Sequence, residues 1–85
     1  MRVGIAGYGV VGKKRYASII KNTSFKVTDI SEVNPTTRAG IPDSVNVFNN
    51  YQDLILKADL DIIFISLPNK YASDAVSLSL NKGLN

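Results

Sequence analysis

The 85-residue chain contains no cysteine and no histidine. Without cysteine it has no disulfide framework, no thiol nucleophile and no thiolate metal site. Without histidine it lacks the commonest general base and metal ligand of proteins. We therefore predict no metal site, and any acid–base chemistry would fall to lysine, aspartate, glutamate or tyrosine, or to residues that are not on this chain.

Long apolar runs are also missing. The longest, Ile62–Ile65, has the length of one strand, whereas a membrane-spanning helix needs about 20 apolar residues. The N-terminus enters a predicted strand at once, so we expect no signal peptide. These features predict a cytoplasmic protein that does not bind membranes.

Basic residues exceed acidic ones only slightly, by 10 to 7. A nucleic-acid-binding surface would gather Lys and Arg on one face with aromatic residues between them, whereas here only Lys13–Arg15 cluster. We therefore predict no nucleic-acid partner. The cluster falls in the first turns of a predicted helix, where it forms either a positive collar around a bound anion or, the favoured interpretation, a solvated helix face.

The most informative stretch is residues 2–12, R-V-G-I-A-G-Y-G-V-V-G. A short apolar run typical of a buried strand precedes a G-x-G-x-x-G pattern, and a helix-compatible segment follows it, which is the context in which this pattern indicates dinucleotide binding. Gly7 permits the tight turn, Gly9 lets the backbone approach a pyrophosphate, and Gly12 lets the helix lie close on the sheet. The anion would bind the free N–H groups at the start of the helix.

A carboxylate stands at the distance expected for ribose recognition. Glu32 follows Gly12 by twenty positions and ends the second predicted strand, Phe25–Glu32, where such a residue takes the ribose 2′-hydroxyl. The alternative is an ordinary solvated loop carboxylate. Asp29 comes too early for this role and is a polar residue in what should be a buried strand.

The remaining pattern alternates helices and strands, which predicts an α/β fold with a Rossmann-like open parallel sheet of about four strands in the order 3-2-1-4 and helices on both faces. At 85 residues the chain has room for little more than one mononucleotide-binding half, so we expect a truncated domain. The predicted elements after the first strand are helix 10–21, strand 25–32, strand 45–48, helix 51–58, strand 61–67 and helix 71–82, with Leu84 and Asn85 beginning another strand.

Several local features carry their own predictions. The first helix should bury Gly12, Tyr16, Ile19 and Ile20. Asn50 and Asp53 resemble a capping box, and Gly83 stands where a C-cap glycine should. Residues 34–42 should form a loop with at most one helical turn after Pro35. Arg38 in this loop could stack on an adenine or meet a 2′-phosphate, but the favoured interpretation is a solvated side chain. Asp59 and Asp61 flank the N-terminal end of a strand, opposite the ligand-binding edge, so we interpret them as turn residues.

The ordered set of motifs resembles the N-terminal part of the glucose-fructose oxidoreductase / inositol dehydrogenase / MocA family of NAD(P)-dependent oxidoreductases. The resemblance covers nearly the whole chain. The matching pieces are Gly7–Gly12, Glu32-Val33-Asn34-Pro35, Tyr51-Gln52-Asp53-Leu54-Ile55 and Ser66-Leu67-Pro68-Asn69, the last similar to the family's T-P-N step.

The resemblance implies that residues 1–85 are a partial NAD(P)-binding Rossmann domain without the substrate domain. It implies that the backbone of Gly7, Gly9, Val10, Val11 and Gly12 binds the pyrophosphate, that Glu32 takes the adenosine ribose, and that Ser66, Leu67, Pro68 and Asn69 line the nicotinamide-side ribose. Tyr8 belongs to the same predicted cofactor-binding set. An acid at Glu32 favours NAD, with NADP possible, because a carboxylate repels a 2′-phosphate. The alternative for Pro68 and Asn69 is loop punctuation and a helix cap.

Two departures from the family bear on activity. Ala72 stands where the family often has a histidine, and the E-K-P motif with the catalytic lysine would lie beyond Asn85. We therefore expect no catalytic residue here and no turnover by this chain alone.

Three functions are consistent with the sequence. The chain is the cofactor-binding portion of a sugar or polyol oxidoreductase, a non-catalytic nucleotide-binding module, or a folded remnant that binds nothing. Because the fourth strand would be an exposed apolar edge, we also predict a homodimer formed by pairing of Ile62–Ser66.

Overall fold

A computed structural model describes residues 1–84, which form one parallel sheet and four helices. In chain order the elements are β1 (Arg2–Ala6), α1 (Val10–Ile19), β2 (Lys26–Ser31), α2 (Pro35–Arg38), β3 (Asn46–Phe48), α3 (Tyr51–Lys57), β4 (Ile62–Ile65) and α4 (Asn69–Lys82). The strand order is β3-β2-β1-β4, which confirms the predicted fold class and strand order.

Each face of the sheet has its own hydrophobic core because successive strand residues point to opposite faces. Val3 and Ile5 of β1 pack in a cluster that includes Ile19 of α1. Ala6, on the other face, belongs to a cluster with Leu54 of α3 and Ala75 of α4. Helices therefore cover both faces, as the apolar pattern predicts.

The central strand β1 pairs with β2 on one side and with β4 on the other. All pairings in the sheet are parallel, so the carboxyl ends of the four strands lie at one edge. The turns that follow β1, β2 and β4 therefore come together above the middle of the sheet. In open α/β sheets this edge is where ligands bind.

Asp29, the polar residue within β2, is buried and hydrogen-bonded. Its carboxylate accepts a hydrogen bond from Thr28 Oγ1 and another from Asn46 Nδ2 at 3.1 Å. Asn46 belongs to the neighbouring strand β3, so the bond joins the two strands. The apparent conflict in the sequence is resolved because buried polar groups are tolerated when they are hydrogen-bonded.

The helix ends follow the predicted capping residues. Asn50 Oδ1 accepts the backbone N–H of Asp53 at 2.8 Å, and Asn50 Nδ2 donates to the Asp53 carboxylate at 3.3 Å. Gly83 ends α4 in the left-handed conformation, with φ 86°. The prediction for Ile20 is wrong: this C-cap residue of α1 is 54% exposed, whereas Gly12 and Ile19 are buried.

The C-terminal end of α4 lies against the core on the α3 side of the sheet. Leu84 is buried in that core, and Lys82 Nζ donates to the carbonyl of Ala58 at 2.6 Å. The predicted fifth strand depends on Asn85, which lies outside the described residues. No helix in the described part of the chain is long and apolar enough to cross a membrane.

Candidate functional site

A cleft of about 750 Å³ opens at the carboxyl edge of the sheet, between the turns after β1, β2 and β4. Of the described residues fifteen line it, and eight of these belong to the eleven predicted cofactor-binding residues. These eight are Gly7, Gly9, Val10, Val11, Glu32, Ser66, Leu67 and Pro68. Tyr8, Gly12 and Asn69, the other three predicted residues, do not line the cleft.

The turn between β1 and α1 is held tightly at Gly7. Its φ of 96° is a conformation that side chains rarely adopt, and a Cβ there would lie 2.6 Å from the carbonyl oxygen of Ser66. The Gly7 N–H donates to the carbonyl of Ser31 at 2.9 Å. This residue therefore brings the ends of three strands to one point, and only glycine fits.

Gly12, the third residue of α1, is buried and does not line the cleft. A Cβ at this position would collide with the backbone carbonyl of Gly7. The missing side chain lets the first turn of α1 approach the turn after β1, which is the packing role that the motif predicts for the third glycine.

Gly9 is the glycine that faces open space. No heavy atom lies within 4 Å of the position its Cβ would take, and its φ of −70° is accessible to any residue. As the N-cap of α1 it begins a run of four backbone N–H groups, Gly9 to Gly12, that have no acceptor among residues 1–84. The space beside Gly9 is therefore not filled by protein atoms, and it lies next to backbone amides that can bind an anion.

The Glu32 side chain is oriented by two backbone amides. Its Oε1 accepts the N–H of Tyr8 at 2.7 Å, and its Oε2 accepts the N–H of Asn34 at 3.0 Å. The amide of Tyr8, a predicted cofactor-binding residue, is thus bonded to the protein itself. A carboxylate offers about four lone-pair positions, so Glu32 keeps acceptor capacity for further donors in the cleft.

Tyr8 contributes to this region through its backbone, because its ring belongs to the core beneath α1. The ring is 6% exposed and meets Tyr16 edge-on at 6.2 Å between centroids. Burial, and to a smaller extent the neighbouring Tyr16, raises the pKa of the Tyr8 phenol. The side chain is therefore a neutral packing group at physiological pH.

Arg38 holds the loop that carries Glu32. Its Nη1 donates to the carbonyl oxygens of Glu32 and Val33 at 3.0 and 3.1 Å. The prediction that Arg38 is simply solvated is wrong, because α2 places its guanidinium against the loop after β2.

The loop after β4 supplies the opposite wall. The hydroxyl oxygen of Ser66 is buried and has no hydrogen-bond partner among the described residues. Such an atom is unusual, because buried polar groups are nearly always satisfied. Pro68 occupies the N-cap of α4, and Asn69 is exposed as the first residue of that helix without a side-chain cap bond, so the helix-cap interpretation of Asn69 is wrong.

None of the predicted cofactor-binding residues lies in the side of the cleft that the first turns of α3 and α4 form around Tyr71 and Tyr51. Asn50, Tyr51, Gln52 and Tyr71 all line it. The hydroxyl of Tyr51 donates to the Asp74 carboxylate at 2.6 Å, and this hydrogen bond raises the pKa of Tyr51. The available signal was the position of Tyr51 directly after a strand, since β3 ends at the same edge as the others.

Asp59 and Asp61 lie at the opposite edge of the sheet, as predicted for turn residues. Asp61 Oδ2 accepts the N–H of Arg2 at 2.7 Å, and Arg2 Nε donates to the carbonyl of Asp59 at the same distance. Within residues 1–84, no three His, Cys, Asp or Glu side chains are grouped so that they could hold a metal ion.

Comparison with known proteins identifies relatives of the whole chain. A family model described as an oxidoreductase family with an NAD-binding Rossmann fold matches residues 1–85. No curated protein sequence matches significantly.

Solved structures with a similar fold include inositol dehydrogenases. Scyllo-inositol dehydrogenase from Lactobacillus casei, solved with bound NAD(H) and scyllo-inositol, is 26% identical with a TM-score of 0.87; the match covers 100% of this chain and 26% of that one. Myo-inositol 2-dehydrogenase from Lactobacillus plantarum is 22% identical with a TM-score of 0.91, covering 100% and 26%. Biliverdin reductase from Synechocystis sp. PCC 6803, in complex with biliverdin and NADP+, is 21% identical with a TM-score of 0.90, covering 99% and 27%. The chain thus spans about a quarter of the length of these structures.

Proposed function

Because the chain belongs to the oxidoreductase family with an NAD-binding Rossmann fold, we propose that its cleft binds NAD as the cofactor-binding portion of a sugar or polyol oxidoreductase. In such an enzyme the cofactor carries out the hydride chemistry, and the protein supplies binding, orientation and electrostatics. The likeness to an inositol dehydrogenase supports a polyol substrate. Turnover would require residues beyond this chain, so we expect residues 1–85 alone to bind cofactor without oxidising a substrate.

The observation that carries the proposal is the open start of α1. Four successive backbone amides, Gly9 to Gly12, have no acceptor in the described part of the chain, and Gly9 leaves empty the space its side chain would fill. A diphosphate is the chemical group that fits, because helix N-termini present N–H donors and a positive dipole end. We assign the pyrophosphate to the backbone amides of residues 9–12, because the N–H groups of Gly7 and Tyr8 already donate to Ser31 and Glu32.

Ribose recognition is assigned to Glu32 and the loop after β4. The backbone amides of Tyr8 and Asn34 hold the Glu32 carboxylate at the cleft, where it can accept hydrogen bonds from the hydroxyls of the adenosine ribose. On the other wall, the unsatisfied Ser66 hydroxyl is suited to the nicotinamide-side ribose, with Leu67 and Pro68 in the same wall. Asn69 would join this set only from the exposed start of α4.

Glu32 also predicts a preference for NAD over NADP, since a 2′-phosphate would meet a carboxylate. Calorimetric titration of the purified chain with NAD+ and with NADP+ tests both proposals. We expect measurable binding of NAD+, much weaker binding of NADP+, and a smaller gap between them in Glu32→Gln. If the parent chain binds neither dinucleotide, the proposed function is wrong.

The open edge of β4 favours self-association of this chain as a second proposal. Within residues 1–84, β4 pairs only with β1, and Ile62 and Phe64 are only partly buried. An unpaired apolar edge strand can pair with a second copy to continue the sheet. Light scattering over a concentration series should detect a dimer that Ile62→Lys weakens, and a monomer at all concentrations would contradict it. The cytoplasmic location stays a prediction.

A further inference from the structure

Two tyrosines form an aromatic wall on the side of the cleft where α3 and α4 begin. Tyr51 is the first residue of α3, and Tyr71 lies in the first turn of α4. Their ring centroids are 6.3 Å apart with planes inclined at 49°, and both residues line the cleft. The two helices therefore begin side by side with an aromatic contact between them.

Tyr51 is the fixed member of this pair. It is 8% exposed within the core that contains Leu54 and Ile55, and its hydroxyl donates to Asp74 Oδ2 at 2.6 Å. The same hydrogen bond raises the pKa of Tyr51, so the phenol keeps its proton, and the contact persists, throughout the physiological range. Asp74 lies one turn beyond Tyr71 on α4. Its hydrogen bond therefore connects the Tyr51 side chain of α3 to α4.

Tyr71 is the accessible member. It is 42% exposed and rests against Tyr51, while Lys70 Nζ lies 5.2 Å from its ring centroid. Leu67 and Val33 line the same cleft, so the surroundings of the ring are apolar as well as aromatic. Aromatic side chains with an exposed face are favourable partners for planar nucleobases.

On the basis of the proposed function, we propose that Tyr71 contacts the adenine ring of the bound dinucleotide. Asp74 is a positioning residue that acts through its hydrogen bond with Tyr51. The base is adenine because this chain contains the mononucleotide half with the ribose carboxylate Glu32, and Glu32 and Tyr71 line one continuous cleft. The wall is preorganised, since Tyr51 is already packed and hydrogen-bonded before a ligand arrives.

Titration calorimetry with ADP-ribose, which carries the adenine, its ribose and the diphosphate, tests this assignment. Tyr71→Ala should weaken binding about 5- to 150-fold, the range that alanine substitution gives for stacking on a base. Tyr71→Phe keeps the ring and should bind like the parent. Leu80→Ala, which removes an exposed α4 side chain outside the cleft, is the matched control and should also bind like the parent. If Tyr71→Ala proves unstable in a thermal melt, Tyr71→Leu removes the ring while keeping an apolar side chain.

The positioning role has its own readout. Asp74→Ala should weaken ADP-ribose binding, and Asp74→Asn should restore it, because the amide oxygen can still accept the Tyr51 hydroxyl. Equal binding by Asp74→Ala and the parent would overturn that role.

Two results would overturn the contact itself. If Tyr71→Ala and Tyr71→Leu bind ADP-ribose like the parent, Tyr71 does not touch the base, although the proposed function stands as long as the parent binds. If they weaken binding of nicotinamide mononucleotide and leave ADP-ribose unchanged, the assignment to adenine is wrong. Failure of the parent to bind ADP-ribose would overturn both this inference and the proposed function.

Discussion

Replacing Gly12 by alanine tests how closely α1 lies on the turn after β1. An added Cβ would collide with the backbone carbonyl of Gly7. Gly7 cannot move aside easily, because its N–H is bonded to the Ser31 carbonyl at 2.9 Å and its own Cβ position is only 2.6 Å from the carbonyl oxygen of Ser66. The strain must therefore be relieved by moving the helix.

Two opposing effects set the size of the change. Overpacking a well-packed site costs about 1–3 kcal/mol, and more where backbone must shift. Replacing glycine by alanine inside a helix stabilises the helix by about 1 kcal/mol. We expect the collision to dominate, with a net loss of about 2 kcal/mol in the free energy of unfolding. In a domain of this size that loss lowers the Tm by about 8–16 °C.

Urea unfolding followed by far-UV circular dichroism measures this loss. Gly9→Ala is the matched control, because its Cβ would meet no heavy atom within 4 Å. We expect the control to lose at most about 1 kcal/mol, since alanine is a poorer N-cap than glycine. If Gly12→Ala is as stable as the parent, then α1 does not approach the turn as described, and the argument for the third glycine fails.

Two further changes test the contacts around α3. Asn50→Ala removes the cap that accepts the Asp53 N–H at 2.8 Å and should cost about 1 kcal/mol in urea unfolding, while Asn50→Ser, which can still cap, should retain most of that stability. Tyr51→Phe tests the bond to Asp74 by its pH dependence. Because folding raises the pKa of Tyr51 above its ordinary value of 10.0, the bond's contribution is complete below pH 10 and is lost as the pH rises through the folded-state value. The difference in unfolding free energy between the parent and Tyr51→Phe should therefore be constant from neutral pH to about 9 and become smaller above 10. A difference that grows above pH 10 would contradict the assignment of the raised pKa to the hydrogen bond with Asp74.

Local patterns in the sequence were sufficient for the sheet and the helix starts. The G-x-G-x-x-G spacing predicted separate roles for Gly7 and Gly12, and the structure gives each a different steric reason. The reciprocal pair at Asn50 and Asp53 was predictable because both partners lie within one turn. The contact of Gly12 with Gly7 and the pair of Asn50 with Asp53 join groups that are close in the chain, so their spacing alone determines them; the carbonyl that excludes a side chain at Gly7 belongs to the distant Ser66.

Contacts between distant elements could not be predicted in the same way. The bond from Tyr51 to Asp74 joins residues 23 positions apart and depends on how α3 packs against α4. The bond from the Tyr8 amide to Glu32 depends on the distance between two strand ends. Asp29 looked misplaced because its partner Asn46 lies on another strand. Tertiary packing decides such contacts, and hydrophobic periodicity contains no information about them.

The central claim is that the amides at the start of α1, beside the open position of Gly9, bind the diphosphate of NAD. Calorimetric titration of NAD+ into the parent chain and into Gly9→Val tests it most directly, because the valine side chain would occupy the space left for the ligand. No protein heavy atom lies within 4 Å of the position that its Cβ would take. A circular dichroism spectrum of each protein confirms that both are folded. We expect the parent to bind NAD+ and Gly9→Val to show no measurable binding. Equal binding by the two folded proteins would contradict the claim.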